Sequence, residues 1–175
     1  ADLLRELSCE ELGEIFHEYG EERFARRIAR RIEKERQRRP LLRTSDLAEV
    51  IQAVVPGQMR MKSLSRIFQA LRIAVNDELG ALAEFLEASL SLLYPGGTLA
   101  IISYHSLEDR QVKNFFRQKQ KGCVCPPEMP LCVCGKKSEL SVLTRKAVQT
   151  ADEELRRNPR ARSARLRIAQ KREGD

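Results

Sequence analysis

The first third of the chain has the hydrophobic pattern of amphipathic helices. Apolar positions recur three and four residues apart, which is the spacing of one helix face. Ser8 and Glu11 form a capping box at the start of the first helix. A second helix is predicted over about residues 21–39, where Pro40 ends it, and a third begins near Thr44. These three helices predict a small helical subdomain.

The pattern changes after residue 64. A helical spacing continues over nearly eight turns, with a bend or a break expected at Gly80. After a Pro-Gly-Gly turn, residues 98–104 form a short, continuously apolar run, typical of a strand covered on both faces. A helix capped by Ser106 and Asp109 follows. Helix, turn, buried strand and helix is the order typical of a parallel α/β sheet.

Two further strands are predicted towards the carboxyl end. Residues 140–148 alternate, and residues 163–170 alternate more clearly, with Arg165 and Arg167 facing away from the apolar side. A sheet of about three strands, the first apolar on both faces, lacks neighbours. We therefore expect a helical module followed by part of an α/β sheet, with the missing strands upstream. Self-association or strand exchange through strand 98–104 is also expected.

Charge is segregated along the chain. The 175 residues carry 32 Lys and Arg against 25 Asp and Glu, a net charge of +7. Residues 21–43 hold ten basic and four acidic residues, and residues 156–172 hold eight basic and no acidic ones. Such stretches indicate a polyanionic partner, with a solvated helix face as an equal alternative for residues 21–43. No apolar run is long enough to span a membrane, so a cytoplasmic protein is expected.

Four cysteines lie close together as two Cys-x-Cys pairs. They can form a four-thiolate zinc clip, with Pro and Gly residues setting the turn. Thiols without metal are the favoured alternative, because Cys-x-Cys strains tetrahedral geometry. With either chemistry, the segment is expected to staple a long loop rather than to catalyse a reaction. The candidate metal ligands are Cys123, Cys125, Cys132 and Cys134.

Polar residues at the end of the apolar strand are candidates for substrate binding. In open α/β sheets the ligand crevice lies beyond the carboxyl ends of the strands. His105 can orient a substrate or relay a proton there. An equal alternative is that Ser106 caps the following helix and His105 only hydrogen-bonds a neighbouring loop. The candidates for a binding pocket are Ser103, Tyr104 and His105.

Planar, multi-donor side chains suited to phosphates and base edges recur on the helix after residue 64 and in residues 158–167. On the helix, salt bridges and caps within the domain are an equal alternative. No glycine-rich dinucleotide loop and no P-loop motif occurs in the sequence. The candidates for RNA binding are Arg66, Arg72, Asn76, Arg160, Arg162, Arg165 and Arg167.

Four blocks follow the order and spacing of a known family. They are residues 18–28, 68–79, 95–110 and 158–163. They resemble the ribosomal-RNA small-subunit methyltransferase H family (RsmH, also called MraW). The resemblance implies a class I, Rossmann-like α/β methyltransferase with a small all-helical substrate-recognition insert. It also implies transfer of a methyl group from S-adenosylmethionine to the N4 amine of a cytidine in the decoding region of 16S rRNA, on the small ribosomal subunit.

The resemblance assigns residues 1–60 to part of the helical insert and residues 61–175 to the carboxyl-terminal half of the methyltransferase domain. Residues 62–66 depart from the family's His-Pro-Ala-Thr-Arg. The family's glycine-rich cofactor loop, its acidic ribose ligand and its Asp-Leu-Gly strand end have no counterpart here. The cofactor site is therefore expected mainly in an amino-terminal half of the sheet that is absent, with this chain an inactive fragment. The alternatives are a stand-alone RNA-binding module and a zinc-stapled ribosome assembly factor without catalysis.

Overall fold

The fold is given by a computed structural model that describes residues 1–121, 123, 125–126, 129, 131 and 133–173. It divides into two compact units, residues 1–78 and residues 79–175. Each unit has its own cluster of buried apolar side chains. Among the described residues, the helices are all too short or too polar to cross a bilayer.

The first unit is all-helical. Its helices are α1 (Asp2–Glu6), α2 (Cys9–Glu18), α3 (Ala25–Arg36), α4 (Thr44–Val54) and α5 (Arg60–Asn76). The predicted capping box of α2 is confirmed in both directions. The Glu11 N–H donates to Ser8 Oγ at 3.2 Å, and the Ser8 N–H donates to Glu11 Oε2 at 2.7 Å. The second predicted helix corresponds to α3 and is shorter at both ends than expected.

One apolar core joins these five helices. Its largest fully buried side chains are Leu12, Phe16, Ile28, Ile32, Ile51 and Ile67. Burial of each such side chain stabilises the fold by about 1.5–3 kcal/mol. Gly20 lies where two backbones approach closely, because a Cβ there would stand 2.6 Å from the Phe16 carbonyl oxygen and 3.1 Å from the Arg66 carbonyl oxygen.

The long helix predicted after residue 64 is interrupted at Asp77 and not at Gly80. Asp77 has a left-handed backbone with φ of 46°, and α5 ends immediately before it. Asp adopts this conformation more readily than most residues because its short polar side chain can hydrogen-bond locally. The expectation of a break at Gly80 is wrong, since that residue lies inside the next helix; a bend there remains a prediction. The domain boundary expected after residue 60 remains a prediction.

The second unit combines helices with a small sheet. Its elements are α6 (Glu78–Leu92), β1 (Thr98–Ser103), α7 (Ser106–Lys121), β2 (Leu140–Val142), β3 (Val148–Gln149), α8 (Asp152–Arg157) and β4 (Arg165–Lys171). Lys171 joins the sheet to α6, because its Nζ donates to the carbonyl oxygens of Leu90 at 2.7 Å and Leu93 at 2.8 Å. A cation at this position also complements the negative end of the helix dipole.

The sheet has β4 at its centre. β1 and β2 flank β4, and both run antiparallel to it; β3 pairs with β4 as well. β1 and β2 therefore run parallel to each other and are connected through α7. The mixed α/β architecture agrees with the expected fold class, but parallel pairing does not occur between the described strands, because the antiparallel β4 separates the two that run in the same direction.

The first strand is covered on one face by the described residues. Leu99 and Ser103 are buried, whereas Ala100 and Ile102 on the other face are exposed. The expectation of a strand covered on both faces is therefore not met within the described part of the chain. Self-association through this strand remains a prediction.

Candidate nucleic-acid interface

The register of the central strand brings two predicted motifs to one edge of the sheet. Ser103, the last residue of β1, lies opposite Arg165, the first residue of β4. Because the two strands are antiparallel, the segment after Ser103 and the segment before Arg165 leave the sheet at the same edge. Residues 104–105 and residues 158–163 therefore both lie on this side of the sheet, which we call the carboxyl edge.

The arginine-rich loop before β4 is held in a fixed turn. Asn158 Oδ1 accepts a hydrogen bond from the Arg160 N–H at 3.2 Å, and Thr150 Oγ1 donates to the Ala161 carbonyl oxygen at 2.7 Å. Ala161 is buried, whereas Arg160 and Arg162 are exposed. Neither guanidinium group forms an ion pair with another described residue. The turn thus presents two positive charges to solvent at low entropic cost, as a phosphate-binding loop requires.

Two further candidates, both on β4, interact with the first turn of α7. Arg167 is 7% exposed, and its Nε and Nη2 donate to Asp109 Oδ1 at 2.6 Å and Oδ2 at 3.0 Å. Arg165 Nη1 lies 3.4 Å from Asp109 Oδ2, and its side chain is half exposed. The expectation that Arg167 binds RNA is therefore revised, because its donors are buried and occupied. Arg165 keeps an exposed part that can reach a phosphate.

Asp109 forms ion pairs with two of the candidate arginines, a role that the sequence did not indicate. Its pKa is lowered mainly by the hydrogen bond from Arg167, which outweighs the effect of burial, and the charge of Arg165 lowers it further. The sequence assigned Asp109 to the cap of α7. In the structure the Asp109 carboxylate accepts from Arg167, and Glu108 accepts from the Tyr104 N–H at 2.8 Å. The sequence feature that could have indicated this pairing is an acidic residue in the first turn of α7 together with the Arg-x-Arg pattern of β4.

The three pocket candidates differ in exposure. Ser103 is 2% exposed, and its Oγ has no hydrogen-bond partner among the described residues. The His105 side chain is 7% exposed; its Nδ1 accepts from the Glu108 N–H at 3.3 Å, and its Nε2 lies 3.3 Å from Glu108 Oε1. Burial alone would raise the pKa of Glu108, but the hydrogen bonds from His105 and the Tyr104 N–H lower it. Of the three, only Tyr104 offers a largely exposed ring, at 58%.

The candidates on α5 make contacts within the first unit. Arg72 Nε and Nη2 donate to Glu78 Oε1 at 2.7 Å and Oε2 at 3.1 Å, and Asn76 Nδ2 donates to Glu78 Oε1 at 3.3 Å. Arg66 Nη1 lies 3.9 Å from Oε2 of the buried Glu22. These pairs correspond to the alternative of salt bridges inside the domain. RNA binding by the three α5 residues remains a prediction.

The basic stretch of residues 21–43 divides into paired and exposed side chains. Arg36 donates to the Leu4 carbonyl oxygen at 3.0 Å, and Arg39 binds Glu49 at 2.7 Å. Other arginines line a groove of about 580 Å³ whose opposite wall is acidic. The acids offset part of the positive potential of the arginines along this groove, and binding of a polyanion by residues 21–43 remains a prediction. The lining charges are Arg23, Arg26, Arg27 and Arg30 on one side and Glu10, Glu14 and Glu18 on the other.

Three of the four clustered cysteines come together. The Sγ atoms of Cys123, Cys125 and Cys134 all lie within 4.8 Å of one another. Cys132, the fourth candidate ligand, lies outside the described residues. The expected convergence of the two Cys-x-Cys pairs thus holds for the members that can be described.

A nucleoside cofactor needs an acidic ribose ligand and a glycine turn that lets the backbone approach. At the carboxyl edge Glu108 and Asp109 are engaged by His105 and Arg167. Three further acids, Asp152, Glu153 and Glu154 of α8, follow β3 at the same edge. Gly96 has a left-handed backbone with φ of 78°, but it precedes β1 and therefore lies at the opposite edge. Among the described residues, no glycine with a left-handed backbone lies at the carboxyl edge, so a complete site for S-adenosylmethionine is not formed there.

Comparison with known proteins identifies the family. The model of the MraW methylase family matches residues 1–172. The chain is 54% identical over 174 residues to the ribosomal RNA small subunit methyltransferase H of Heliobacterium mobile, covering 98% of this chain and 56% of that protein. The protein of the same name from Syntrophotalea carbinolica is 55% identical over 170 residues, covering 95% of this chain and 54% of that protein. The chain thus spans about half the length of these relatives, and it belongs to the MraW methylase family.

Proposed function

We propose that this chain is the RNA-facing part of an enzyme that methylates the N4 amine of a cytidine in the decoding region of 16S rRNA. Two curated relatives, 54% and 55% identical to this chain, are named ribosomal RNA small subunit methyltransferase H, which supports this substrate class. The observation that carries the proposal is the β1–β4 register, which brings Tyr104, Arg160 and Arg162 to one edge. The partner is the small ribosomal subunit, and the setting is the bacterial cytoplasm.

The carboxyl edge has the groups that binding of an unstacked base requires. A cytidine inside folded rRNA must leave its stack before its N4 amine can react, and an exposed aromatic ring then replaces the lost stacking. Tyr104 supplies that ring, while Arg160 and Arg162 hold the flanking phosphates. The buried Ser103 hydroxyl, without a partner among the described residues, is expected to gain one when RNA binds.

In this proposal His105 does not contact the cytosine base; it positions the Tyr104 backbone through Glu108. Its ring is held by Glu108, whose carboxylate also accepts from the Tyr104 N–H at 2.8 Å. The pair therefore fixes the backbone that carries Tyr104. The N4 amine is a poor nucleophile because its lone pair is delocalised into the ring, so a precisely held base contributes strongly to the rate.

The cofactor pocket is proposed to lie in residues outside this chain. When bound, S-adenosylmethionine supplies the electrophilic methyl group. The described residues lack a glycine turn at the carboxyl edge, and the relatives are nearly twice as long as the matched region. We expect the 175-residue chain to bind RNA without binding the cofactor.

Methyl transfer to isolated small ribosomal subunits tests the proposed reaction. The full-length gene product is incubated with labelled S-adenosylmethionine and the subunits, and N4-methylcytidine is measured in nucleoside digests by mass spectrometry. Tyr104→Ala should reduce the rate about 10-fold to 100-fold, since a base–aromatic stack contributes about 1–3 kcal/mol. The matched control is Tyr94→Ala, an exposed tyrosine in the turn at the opposite edge, which should leave the rate unchanged.

Calorimetry with S-adenosylmethionine tests the division of labour separately. The 175-residue chain should give no binding heat, whereas the Heliobacterium mobile relative should bind the cofactor. Micromolar binding by the 175-residue chain would contradict the proposed location of the pocket. Absence of N4-methylcytidine with the full-length gene product would instead favour a stand-alone RNA-binding module.

A further inference from the structure

The connection between α7 and β2 is long, and its described large apolar side chains are exposed. It runs from the end of α7 at Lys121 to the start of β2 at Leu140. Its described large apolar side chains, Met129, Leu131 and Val133, are all exposed. A segment of this length whose described apolar side chains are exposed gains from a further source of order, because fixing each residue costs about 1–2 kcal/mol of conformational entropy.

The thiols are the groups of this connection that converge. The Cys134 Sγ lies 3.8 Å from the Cys123 Sγ, and both lie within 4.8 Å of the Cys125 Sγ. A disulfide requires about 2.05 Å, so 3.8 Å is far too long for one. Four thiolates around zinc, with Zn–S bonds of about 2.3 Å in a tetrahedron, stand about 3.8 Å apart. The observed separation, which a thiol-to-thiol hydrogen bond also has, matches that of two thiolate ligands of one zinc ion.

We propose that Cys123, Cys125 and Cys134 bind one zinc ion as thiolates. Zinc fits this set because it prefers sulfur ligands and tetrahedral geometry and has no redox chemistry that would oxidise the thiols. This inference does not depend on the proposed methyl transfer.

The charges of neighbouring residues suit such a centre. Three thiolates and one zinc ion carry a net charge of −1, and Lys121, Lys136 and Lys137 flank the cysteines in the chain. Long lysine side chains can approach such an anion without leaving solvent, so the centre does not require a buried countercharge.

The position of the site indicates a structural role. The connection is already closed at its base, where the Glu139 N–H donates to the Lys119 carbonyl oxygen at 2.9 Å and Lys119 Nζ lies 3.3 Å from Glu139 Oε1. The ion adds a second closure further out, between the residues just after α7 and the segment that leads to β2. It thereby orders the chain that links the two outer strands of the sheet.

Metal content tests the proposal directly. The protein is produced with zinc in the medium and dialysed against metal-free buffer with a reductant. It should then retain about one zinc ion per chain, as measured by inductively coupled plasma mass spectrometry. Replacement of zinc by cobalt should give the thiolate-to-cobalt charge-transfer bands and the visible absorption of a tetrahedral centre. The cobalt spectrum reports the ligands of the unmodified protein, so it does not depend on whether a variant folds.

Conservative variants assign the ligands. Zinc affinity is measured by competition with a chromophoric chelator. Loss of an outer-shell partner of a metal site weakens binding about 10-fold to 100-fold. Loss of a ligand in Cys123→Ser or Cys134→Ser should weaken it more than that. The matched control is Cys9→Ser, which alters a cysteine of the first unit and should retain full zinc content. Absence of zinc from the unmodified protein would overturn the proposal, as would zinc binding by Cys123→Ser equal to that of Cys9→Ser.

Discussion

Asp109 and Arg167 form the most consequential pair of single residues in the second unit. Both side chains are buried, and two hydrogen bonds of 2.6 and 3.0 Å join them. Such a fork-to-carboxylate geometry is the strongest that an ion pair of this type can adopt. The pair connects the first turn of α7 to β4, so it holds together the two elements that carry the carboxyl edge.

Loss of one member of this pair should be costly. Asp109→Ala leaves the Arg167 guanidinium buried without its partner, and we expect the free energy of unfolding to fall by about 3–5 kcal/mol. Chemical denaturation measures this change. The matched control is Glu153→Ala, which breaks the Glu153–Arg157 pair of 2.6 Å on an exposed helix face. It should cost at most about 1 kcal/mol, and an equal loss in both variants would contradict the structural role of the buried pair.

The same pair predicts a dependence of stability on pH. The folded protein lowers the pKa of Asp109, so its stabilising contribution is fully present above the unfolded-state value of about 3.9 and is lost as the pH falls through the lower folded-state value. The difference in unfolding free energy between the wild type and Asp109→Ala should therefore shrink as the pH is lowered through the acid range. A difference that stays constant with pH would count against this assignment.

Individual residues were predictable to different degrees. The exposure of Arg160 and Arg162 follows from a turn sequence, Asn-Pro followed by charged residues, that belongs on a surface. The burial of Arg167 did not follow, because alternation distinguishes two faces of a strand without stating which face a helix will cover. Only the position of Asp109 on α7, a feature of tertiary packing, decides that the arginine side is the inner one.

Among the helices of the first unit, the packing depends on one glycine. Gly20 follows α2, and the backbone oxygens of Phe16 and Arg66 would both crowd an added Cβ. Because backbone atoms cannot rotate aside as a side chain can, the helices would have to separate. The close approach of the α2 end to α5 is therefore specified at this position.

Gly20→Ala should lower the free energy of unfolding by about 1–3 kcal/mol, the usual cost of overpacking. The control is Gly13→Ala within α2, where the nearest atoms to an added Cβ are 3.9 Å away. That variant should be neutral or stabilise by up to about 1 kcal/mol, because alanine favours helix. Thermal unfolding of the two variants checks the difference, and equal melting temperatures would contradict the close approach.

Element by element, long periodic patterns were predictable and short ones were not. The helices α2, α3, α4 and α7 and the strand β4 each have enough residues to reveal a repeat, and β1 is recognisable as a continuously apolar run. α1, α8 and β3 span five, six and two residues, which is too short for a period of 3.6 or 2 to be recognised. The break at Asp77 depends on one left-handed residue and leaves no trace in the hydrophobic pattern.

For the whole molecule, topology lies beyond local sequence patterns. The expected order of helix, turn, strand and helix is present, but β4 enters between β1 and β2 and makes each described pair antiparallel. Pairing of β1 with β4 joins segments that are far apart in the chain, and alternation alone does not specify it. The resemblance to the methyltransferase family indicated the class of fold, and the structure adds the register that brings Tyr104 to the arginine-rich loop.

The measurement that tests the carboxyl edge most directly is the salt dependence of RNA binding. An RNA of the 16S decoding region is titrated at several salt concentrations with the wild type and with two double variants. Arg160→Gln/Arg162→Gln should weaken binding and reduce the slope of log affinity against log salt by about 1.4, the value for two contacts to single-stranded phosphates.

The matched control is Arg117→Gln/Arg172→Gln, which removes two exposed positive charges from the end of α7 and the far end of β4. It removes the same net charge but should leave the slope close to that of the wild type. A clear loss of slope in the first double variant alone is the result that we predict. Equal slopes in both double variants would show that net charge, and not the carboxyl edge, holds the RNA.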